Sequence, residues 1–321
     1  MGNWNVYVTR VIPQAGIDLL RQNCKTVDVN PDDRVLTRAE LLKNVKGRDA
    51  VLCLLTDKID DEVFAAAGPQ CKIFANYAVG FNNVDVEAAK RRKVRVSNTP
   101  GVLTDATADM AWSLLFAAAR RIAESDKFMR TGQWGGWGPM QFLGQDITGR
   151  TLGVVGVGRI GANFALKSAG FRMKVLYTDV AVSAEMESKL GAKKVPLDQL
   201  LRESDFISVH VPLMPETTHL ISKPQFEMMK RTAVLINTSR GPVIDEKALV
   251  EALRTKRIAA AGLDVYEEEP KAAPGLLALD NVVACPHTAS ATIETRTKMA
   301  LMAAENLLAA LQGKEPPNAV A

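Results

Sequence analysis

The sequence predicts an α/β fold with parallel sheets, divided into two domains. Three observations carry this. Short apolar runs alternate with amphipathic helical stretches along nearly the whole chain, the rhythm of strand–helix–strand crossovers. Residues 50–55 (AVLCLL) are apolar at every position, as expected of a strand covered on both faces. Residues 151–179 read strand, glycine turn, helix, strand, acid. A length of 321 residues also suits two domains better than one.

In chain order, residues 6–9 are the first expected strand. Residues 15–21 are a helix with Ile17, Leu19 and Leu20 on its buried side, 26–29 a second strand and 38–45 a helix. After the strand at 50–55, Asp60 or Asp61 caps a helix through Ala67. Residues 72–76 are a fourth strand, Asp85 caps a helix to Arg92, and 94–97 are a fifth strand. Thr99-Pro100-Gly101 interrupts the rhythm and marks the first crossing between domains. One long helix is expected from about 105 to 130, then an irregular Gly- and Trp-rich stretch, 132–144. Beyond 179 come a helix at 198–203 and a strand at 206–211. Ser222 and Gln225 form a capping box with Pro224 in the first turn. A strand at 233–238 follows, then a helix from Asp245 to about Arg254, and strands at 258–265 and 282–285. The last helix spans about 291–311 and stops at Gly313. It is expected to pack back on the first domain. The expected division is therefore 1–99 with 289–321 as one discontinuous domain, and 100–288 inserted as the other.

The stretch 151–179 carries the clearest chemistry. Gly156, Gly158 and Gly161 have the G-x-G-x-x-G spacing between a strand and a helix. Gly156 permits the tight turn, Gly158 lets a pyrophosphate approach the backbone, and Gly161 lets helix and strand pack closely. The helix N-terminus then offers free N–H groups and a positive dipole end to phosphates. Asp179 ends the second strand, where a carboxylate binds the two ribose hydroxyls of NAD and repels a 2′-phosphate. The cofactor expected is NAD, with NADH favoured by Asp179 and NADP left open.

Composition narrows the class. Hydrophobic residues make up 47% and charged residues 24%, a soluble globular balance. Net charge is +4 and the densest basic cluster is Arg91-Arg92-Lys93, which reads as a solvated helix end, so nucleic acid is not an expected partner. Four cysteines lie far apart, with no C-x-x-C and no histidine pair at ligand spacing. That argues against a metal site and for a reducing compartment, the cytoplasm. No apolar h-region opens the chain, and the longest apolar stretch, 110–119, is too short to span a bilayer.

Three later segments place polar residues where a strand meets its loop, the position at which open α/β sheets bind ligands. They are NTSRG (237–241), GLDVYEEEP (262–270) and CPHT (285–288). Arginine can clamp a carboxylate with its planar fork. Histidine can protonate a carbonyl oxygen while a glutamate keeps the imidazole charged and oriented. A plain alternative stands beside each: Arg240 in a surface turn, His287 capping a strand, residues 267–269 as a solvated acidic loop. His210, in an apolar strand, reads as structural, and His219, among polar turn residues, as solvated. Trp134, Trp137, Met140 and Phe142 fit core packing, a substrate pocket or a dimer contact equally.

The words NYAVGFNNVD (76–85), NTPGVLTDATAD (98–109), GVVGVGRIG (153–161), VPLMPETTHLI (211–221), LINTSRGPVID (235–245), GLDVYEEEP (262–270) and PHTAS (286–290) run the length of the chain. With them the chain resembles the D-isomer-specific 2-hydroxyacid dehydrogenases, and within that family the glyoxylate and hydroxypyruvate reductases. The resemblance implies a flavodoxin-like substrate domain, an NAD(P)-binding Rossmann domain, and a cleft between them that closes on the cofactor. It implies Arg240, Glu269 and His287 as catalytic residues, and Val79 and Gly80 as backbone donors to the substrate carboxylate beside Arg240 and His287. It implies cofactor contacts from Thr104, Arg159, Ile160, Pro212, Thr217 and Thr238, with Asp264 near the nicotinamide amide. The implied reaction is NAD(P)H-dependent reduction of a small 2-oxo acid to the D-2-hydroxy acid, glyoxylate to glycolate or hydroxypyruvate to D-glycerate, by a homodimer. Dehydrogenation of another D-2-hydroxyacid, of D-lactate or of phosphite, or non-enzymatic NADH sensing by a corepressor-like protein, are the alternatives.

Overall fold

The structure, a computed structural model, describes residues 2–321 and divides into two compact units. One is the chain up to Leu103 with Ala291–Ala321; the other is Thr104–Ser290. The crossings thus fall after 103 and 290, where the sequence suggested 99 and 288. Local bonding explains the shift. Thr99 N–H donates to Ala78 O at 2.9 Å and Asn98 Nδ2 to Val79 O at 2.8 Å, so the chain stays with the first unit until the next helix begins.

The first unit has five strands, β1 (Gly2–Val8), β2 (Cys24–Val29), β3 (Ala50–Leu54), β4 (Ile73–Tyr77) and β5 (Arg95–Ser97). They form one parallel sheet in the order β2-β1-β3-β4-β5, a flavodoxin-like order. Helices α1 (Gln14–Asn23), α2 (Arg38–Val45), α3 (Asp61–Ala67) and α4 (Val86–Arg92) are the crossovers. Their starts follow the sequence: Thr37 and Glu40 form a capping box on α2, Asp60 caps α3 and Asp85 caps α4, each satisfying N–H groups left open at the helix start.

The second unit begins with α5 (Thr104–Ala119) and α6 (Ile122–Arg130). Then come β6 (Thr151–Val155), α7 (Arg159–Leu166), β7 (Lys174–Thr178), α8 (Ala184–Leu190), β8 (Lys193–Lys194) and α9 (Leu197–Glu203). The last elements of this unit are β9 (Phe206–Val209), α10 (Lys223–Met228), β10 (Val234–Asn237), α11 (Glu246–Arg254), β11 (Ala260–Leu263) and β12 (Val282–Ala284). The seven strands are parallel in the order β12-β11-β10-β9-β6-β7-β8. The order reverses direction between β6 and β9, which creates the crevice where doubly wound sheets bind dinucleotides. Helix α12 (Ile293–Leu311) returns to the first unit, where a Cβ on Gly16 of α1 would come within 2.8 Å of Ala300. The chain end pairs with β5 through Val320 N–H to Val96 O and Val96 N–H to Ala321 O, both 2.8 Å.

Four expectations need correction. The single helix at 105–130 is two, because Arg121 takes a left-handed backbone (φ 55°) and its side chain pairs with Glu124 at 2.6 Å. Helix α5 is buried along most of its length, while α6 buries none of its residues. An unmarked element pair, α8 and β8, follows Asp179; Ser183 caps the helix and Gly191 (φ 62°) ends it. His210 lies just past β9 rather than inside it, with Nε2 2.8 Å from Ser208 Oγ. Of the three readings of the aromatic stretch, core packing falls away for Trp134, Trp137 and Met140, which are 51%, 84% and 76% exposed, while Phe142 is half-buried.

Candidate functional site

The glycine turn sits at the reversal point. Gly156 has φ 89°, and a Cβ there would come within 2.8 Å of Val211 N. A Cβ on Gly161 would lie 2.0 Å from Gly156 O, whereas one on Gly158 meets nothing within 4 Å. The first and third glycines are thus demanded by the fold itself, and the second borders open space at the start of α7. Arg159 is exposed and Ile160 half-buried in the first turn of that helix. Asp179 closes the arrangement: its Oδ2 accepts from Val157 N–H at 2.7 Å and its Oδ1 from Ala181 N–H at 3.1 Å. The carboxylate that would meet the ribose also ties β7 to the glycine loop. The buried Thr238 Oγ has no partner among the described residues. Thr217 Oγ donates to Pro212 O at 2.6 Å and accepts from Met214 N–H at 2.8 Å, closing a tight turn after β9. Thr104 is the first residue of α5. These features fit a dinucleotide: an uncrowded backbone at Gly158, an acid one strand away, and an orphaned hydroxyl after β10.

The catalytic candidates follow β10, β11 and β12. His287 Nδ1 lies 2.8 Å from Glu269 Oε2, which leaves Nε2 as the ring nitrogen able to face a reactant. Tyr266 N–H donates to Glu269 Oε1 at 3.2 Å, and Tyr266 OH to Cys285 O at 2.9 Å. Burial pushes the Glu269 carboxyl up, but the hydrogen bond and charge of His287 outweigh it and hold the carboxyl below its usual range. Arg240 is half-buried, and its Nη1 donates to Ser239 O at 2.7 Å. Burial lowers its pKa while the charge of Glu269 opposes the change. The histidine itself has φ 55°, a backbone state that costs energy for any residue with a Cβ. Asp264 holds it there. His287 N–H donates to Asp264 O at 2.9 Å. The fully buried Asp264 carboxylate accepts from Thr288 N–H and Ala289 N–H, both 2.7 Å. Burial raises the Asp264 pKa, partly offset by these amides. Asp264 is therefore seen organising the histidine's own backbone.

Val79 and Gly80 belong to the first unit, after β4. Three consecutive carbonyls are pinned there: Ala78 O by Thr99 N–H (2.9 Å), Val79 O by Asn98 Nδ2 (2.8 Å) and Gly80 O by Asn76 Nδ2 (3.0 Å). In a trans peptide the N–H points opposite to the preceding C=O, so the Val79 and Gly80 N–H groups face away from the pinned carbonyls of residues 78 and 79. Asn83 Nδ2 braces Asn76 by donating to its Oδ1 at 3.3 Å, and is itself anchored by donating to Leu54 O and Asp57 O. Sequence reasoning missed Asn76, Asn83 and Asn98. For Asn76 and Asn98 the signal was a polar residue near the end of buried strand β4 and just after β5, where apolar ones would otherwise be expected; Asn83, in the loop between β4 and α4, carried none.

His219 is also not simply solvated. Its Nε2 lies 2.7 Å from Glu267 Oε1, so Glu267 is not part of a free acidic loop. Glu246, buried at the start of α11, accepts from Glu267 N–H (2.9 Å) and Ala273 N–H (3.0 Å). Among the described residues no group of acidic, Cys or His side chains is arranged to hold a metal, and no helix is long and apolar enough to cross a membrane.

Known proteins match this chain in sequence and in fold. The family described as the D-isomer specific 2-hydroxyacid dehydrogenase NAD binding domain matches residues 112–289. A glyoxylate reductase of Korarchaeum cryptofilum is 51% identical over 98% of this chain and 95% of its own. A crystal structure of a Thermus thermophilus protein superposes with TM-score 0.92 at 44% identity, covering 99% of this chain and all of that one. An NADPH-dependent glyoxylate/hydroxypyruvate reductase of Sinorhizobium meliloti superposes with TM-score 0.85 at 31% identity, covering 99% of this chain and 98% of that one.

Proposed function

The chain belongs to the D-isomer-specific 2-hydroxyacid dehydrogenase family, and from that premise we propose that it reduces glyoxylate to glycolate, and hydroxypyruvate to D-glycerate. It is an oxidoreductase, and its cofactor is NAD(P). Bound NAD(P)H supplies the hydride. His287 donates the proton: Nδ1 is committed to Glu269 at 2.8 Å, so Nε2 is the nitrogen that meets the carbonyl oxygen. Glu269, held as a carboxylate, favours the charged imidazolium that this step needs. Arg240 grips the substrate carboxylate, and the backbone N–H groups of Val79 and Gly80 are the substrate-binding groups of the first unit. In this reading Thr104, Arg159, Ile160, Pro212, Thr217 and Thr238 line the cofactor with Gly156, Gly158 and Gly161. Asp179, with no basic residue at 180 or 181, disfavours a 2′-phosphate and so favours NADH. The observation that carries the assignment is the Glu269–His287 hydrogen bond, with Arg240 close enough for its charge to act on the same carboxylate.

The deciding experiment is a kcat/KM panel over glyoxylate, hydroxypyruvate and pyruvate with NADH and NADPH, and phosphite with NAD. The expected outcome is the highest value for glyoxylate with NADH. Tight NADH binding without turnover of any 2-oxo acid would instead favour a sensor. D-lactate or phosphite specificity is not favoured at the level of identity found with glyoxylate reductases. The protein acts in the cytoplasm, consistent with three buried free thiols and a half-buried fourth. It works as a homodimer, with the exposed apolar side chains of α6 and residues 134–143 as the self-contact.

A further inference from the structure

We propose that His219 and Glu267 form a brace that holds the catalytic carboxylate of Glu269 in place, making His219 a positioning residue for proton transfer. The inference rests on the reading of Glu269 as the partner of His287.

Glu269 sits in the loop after β11, which is tied to the first turn of α11. Glu246 holds that loop at two points, accepting from Glu267 N–H at 2.9 Å and Ala273 N–H at 3.0 Å. In return Glu246 N–H donates to Glu267 Oε2 at 3.1 Å. The remaining oxygen of Glu267, Oε1, takes Nε2 of His219 at 2.7 Å. His219 is fixed in its own right, since its N–H donates to Pro242 O at 2.8 Å in the turn after Arg240. The same turn presses on the catalytic loop: a Cβ on Gly241 would lie 1.8 Å from Tyr266 O. Tyr266 N–H in turn donates to Glu269 Oε1. The chain of contacts therefore runs His219, Glu267, the Glu267 and Tyr266 backbone, Glu269, His287. Every link lies in one unit.

Chemistry gives His219 a reason to be there. Glu246 and Glu267 bring two carboxylates together, each accepting the other's backbone N–H. An imidazole donating to Glu267 satisfies that carboxylate's free oxygen and fixes its rotamer. Without the donor, Glu267 Oε1 turns to solvent and the peptide two residues before Glu269 gains freedom. Small displacements of a catalytic group lower rate more than binding. His219 is also in a left-handed backbone (φ 51°), so its ring direction is set by the loop rather than by a relaxed strand or helix.

The test is a double-mutant cycle on the purified enzyme, with glyoxylate and NADH, comparing wild type, His219→Ala, Glu269→Gln and the double variant. His219→Ala is expected to lower kcat about 10-fold, mid-range for coupling between linked residues. KM for glyoxylate and Kd for NADH should stay within about 2-fold of wild type, as expected when ground-state binding is untouched. In the Glu269→Gln background the same substitution should change kcat less than about 2-fold, because its route of action is gone. His219→Gln, whose amide can still donate to Glu267, should recover most of the rate. Should the alanine variant fold poorly, His219→Met keeps the bulk without the donor and is expected to behave as alanine does. An undiminished loss in the Glu269→Gln background would overturn the brace, as would a rise in NADH Kd with kcat preserved, or a stable His219→Gln as slow as alanine. A Glu269→Gln enzyme as fast as wild type is a separate result. It would refute the role given to Glu269 and the brace with it.

Discussion

At the scale of single residues, the imidazole of His287 and the guanidinium of Arg240 have different jobs. Replacing His287 with alanine removes the proton donor and should lower kcat on the order of 10²- to 10⁴-fold, read directly from NADH oxidation. Glu269→Gln keeps a hydrogen-bonding side chain but removes the charge that favours imidazolium. In that variant kcat for glyoxylate should fall while the Kd for NADH stays close to wild type; an unchanged kcat would contradict the pairing. The same carboxylate bears on stability. Its pKa is depressed in the folded protein, so its contribution is complete above the unfolded value and is lost as pH falls through the folded one. The Tm difference between wild type and Glu269→Gln should shrink below about pH 4, the ordinary glutamate range. Arg240→Ala should raise KM for glyoxylate and also lower kcat, since a loosely held carboxylate misplaces the carbonyl. Near-normal values for both constants would remove Arg240 from the site.

At the scale of elements, the glycine turn separates two demands that share one sequence motif. Gly161 is required by packing, because its Cβ would strike Gly156 O at 2.0 Å, while Gly158 faces open space. Gly161→Ala should therefore destabilise the protein by about 1–3 kcal/mol, as overpacking does, lowering Tm by about 2–4 °C per kcal/mol for a domain of this size. Gly158→Ala should leave Tm nearly unchanged and weaken NADH binding instead. Calorimetry and fluorescence titration of the two variants test this; equal effects on Tm would sink the distinction. The elements that the sequence disclosed are those with a local signature. The caps at Asp60, Asp85 and Asp245 and the box at Ser222–Gln225 are written in residues three apart. The break at Arg121 carries no glycine or proline to announce it; it rests on a left-handed backbone at a non-glycine residue, at the point where burial ends with α5. Strand β8 is two lysines at a sheet edge, where charge guards an open edge and hydrophobicity gives no signal.

At the scale of the molecule, two parallel sheets of different strand order leave Asp179, Arg240, Glu269 and His287 in the loops that follow β7, β10, β11 and β12. The surface that remains unexplained within one chain is apolar: Trp137 is 84% and Met140 76% exposed, and Met129 and Ile122 of α6 are exposed as well. The homodimer reading predicts that Trp137→Glu with Met140→Glu shifts the sedimentation coefficient from dimer to monomer, because charges would have to be desolvated at the self-contact. A wild-type enzyme that sediments as a monomer at micromolar concentration would dispose of that reading.

Local chemistry was legible in the sequence because it acts over a few residues: alternation of strand and helix, the Gly156–Gly161 turn, the acid at 179, the helix caps. The motifs carried the resemblance that singled out Arg240, Glu269 and His287. Tertiary structure decided what depends on groups far apart in the chain. It brought Glu269 to His287, set asparagines and a threonine amide behind the carbonyls of residues 78–80, and turned His219 from a turn residue into a partner of Glu267. The reason is physical. A hydrogen bond between residues 18 or 48 positions apart leaves no periodicity in the sequence, since it is fixed by how strands and loops pack.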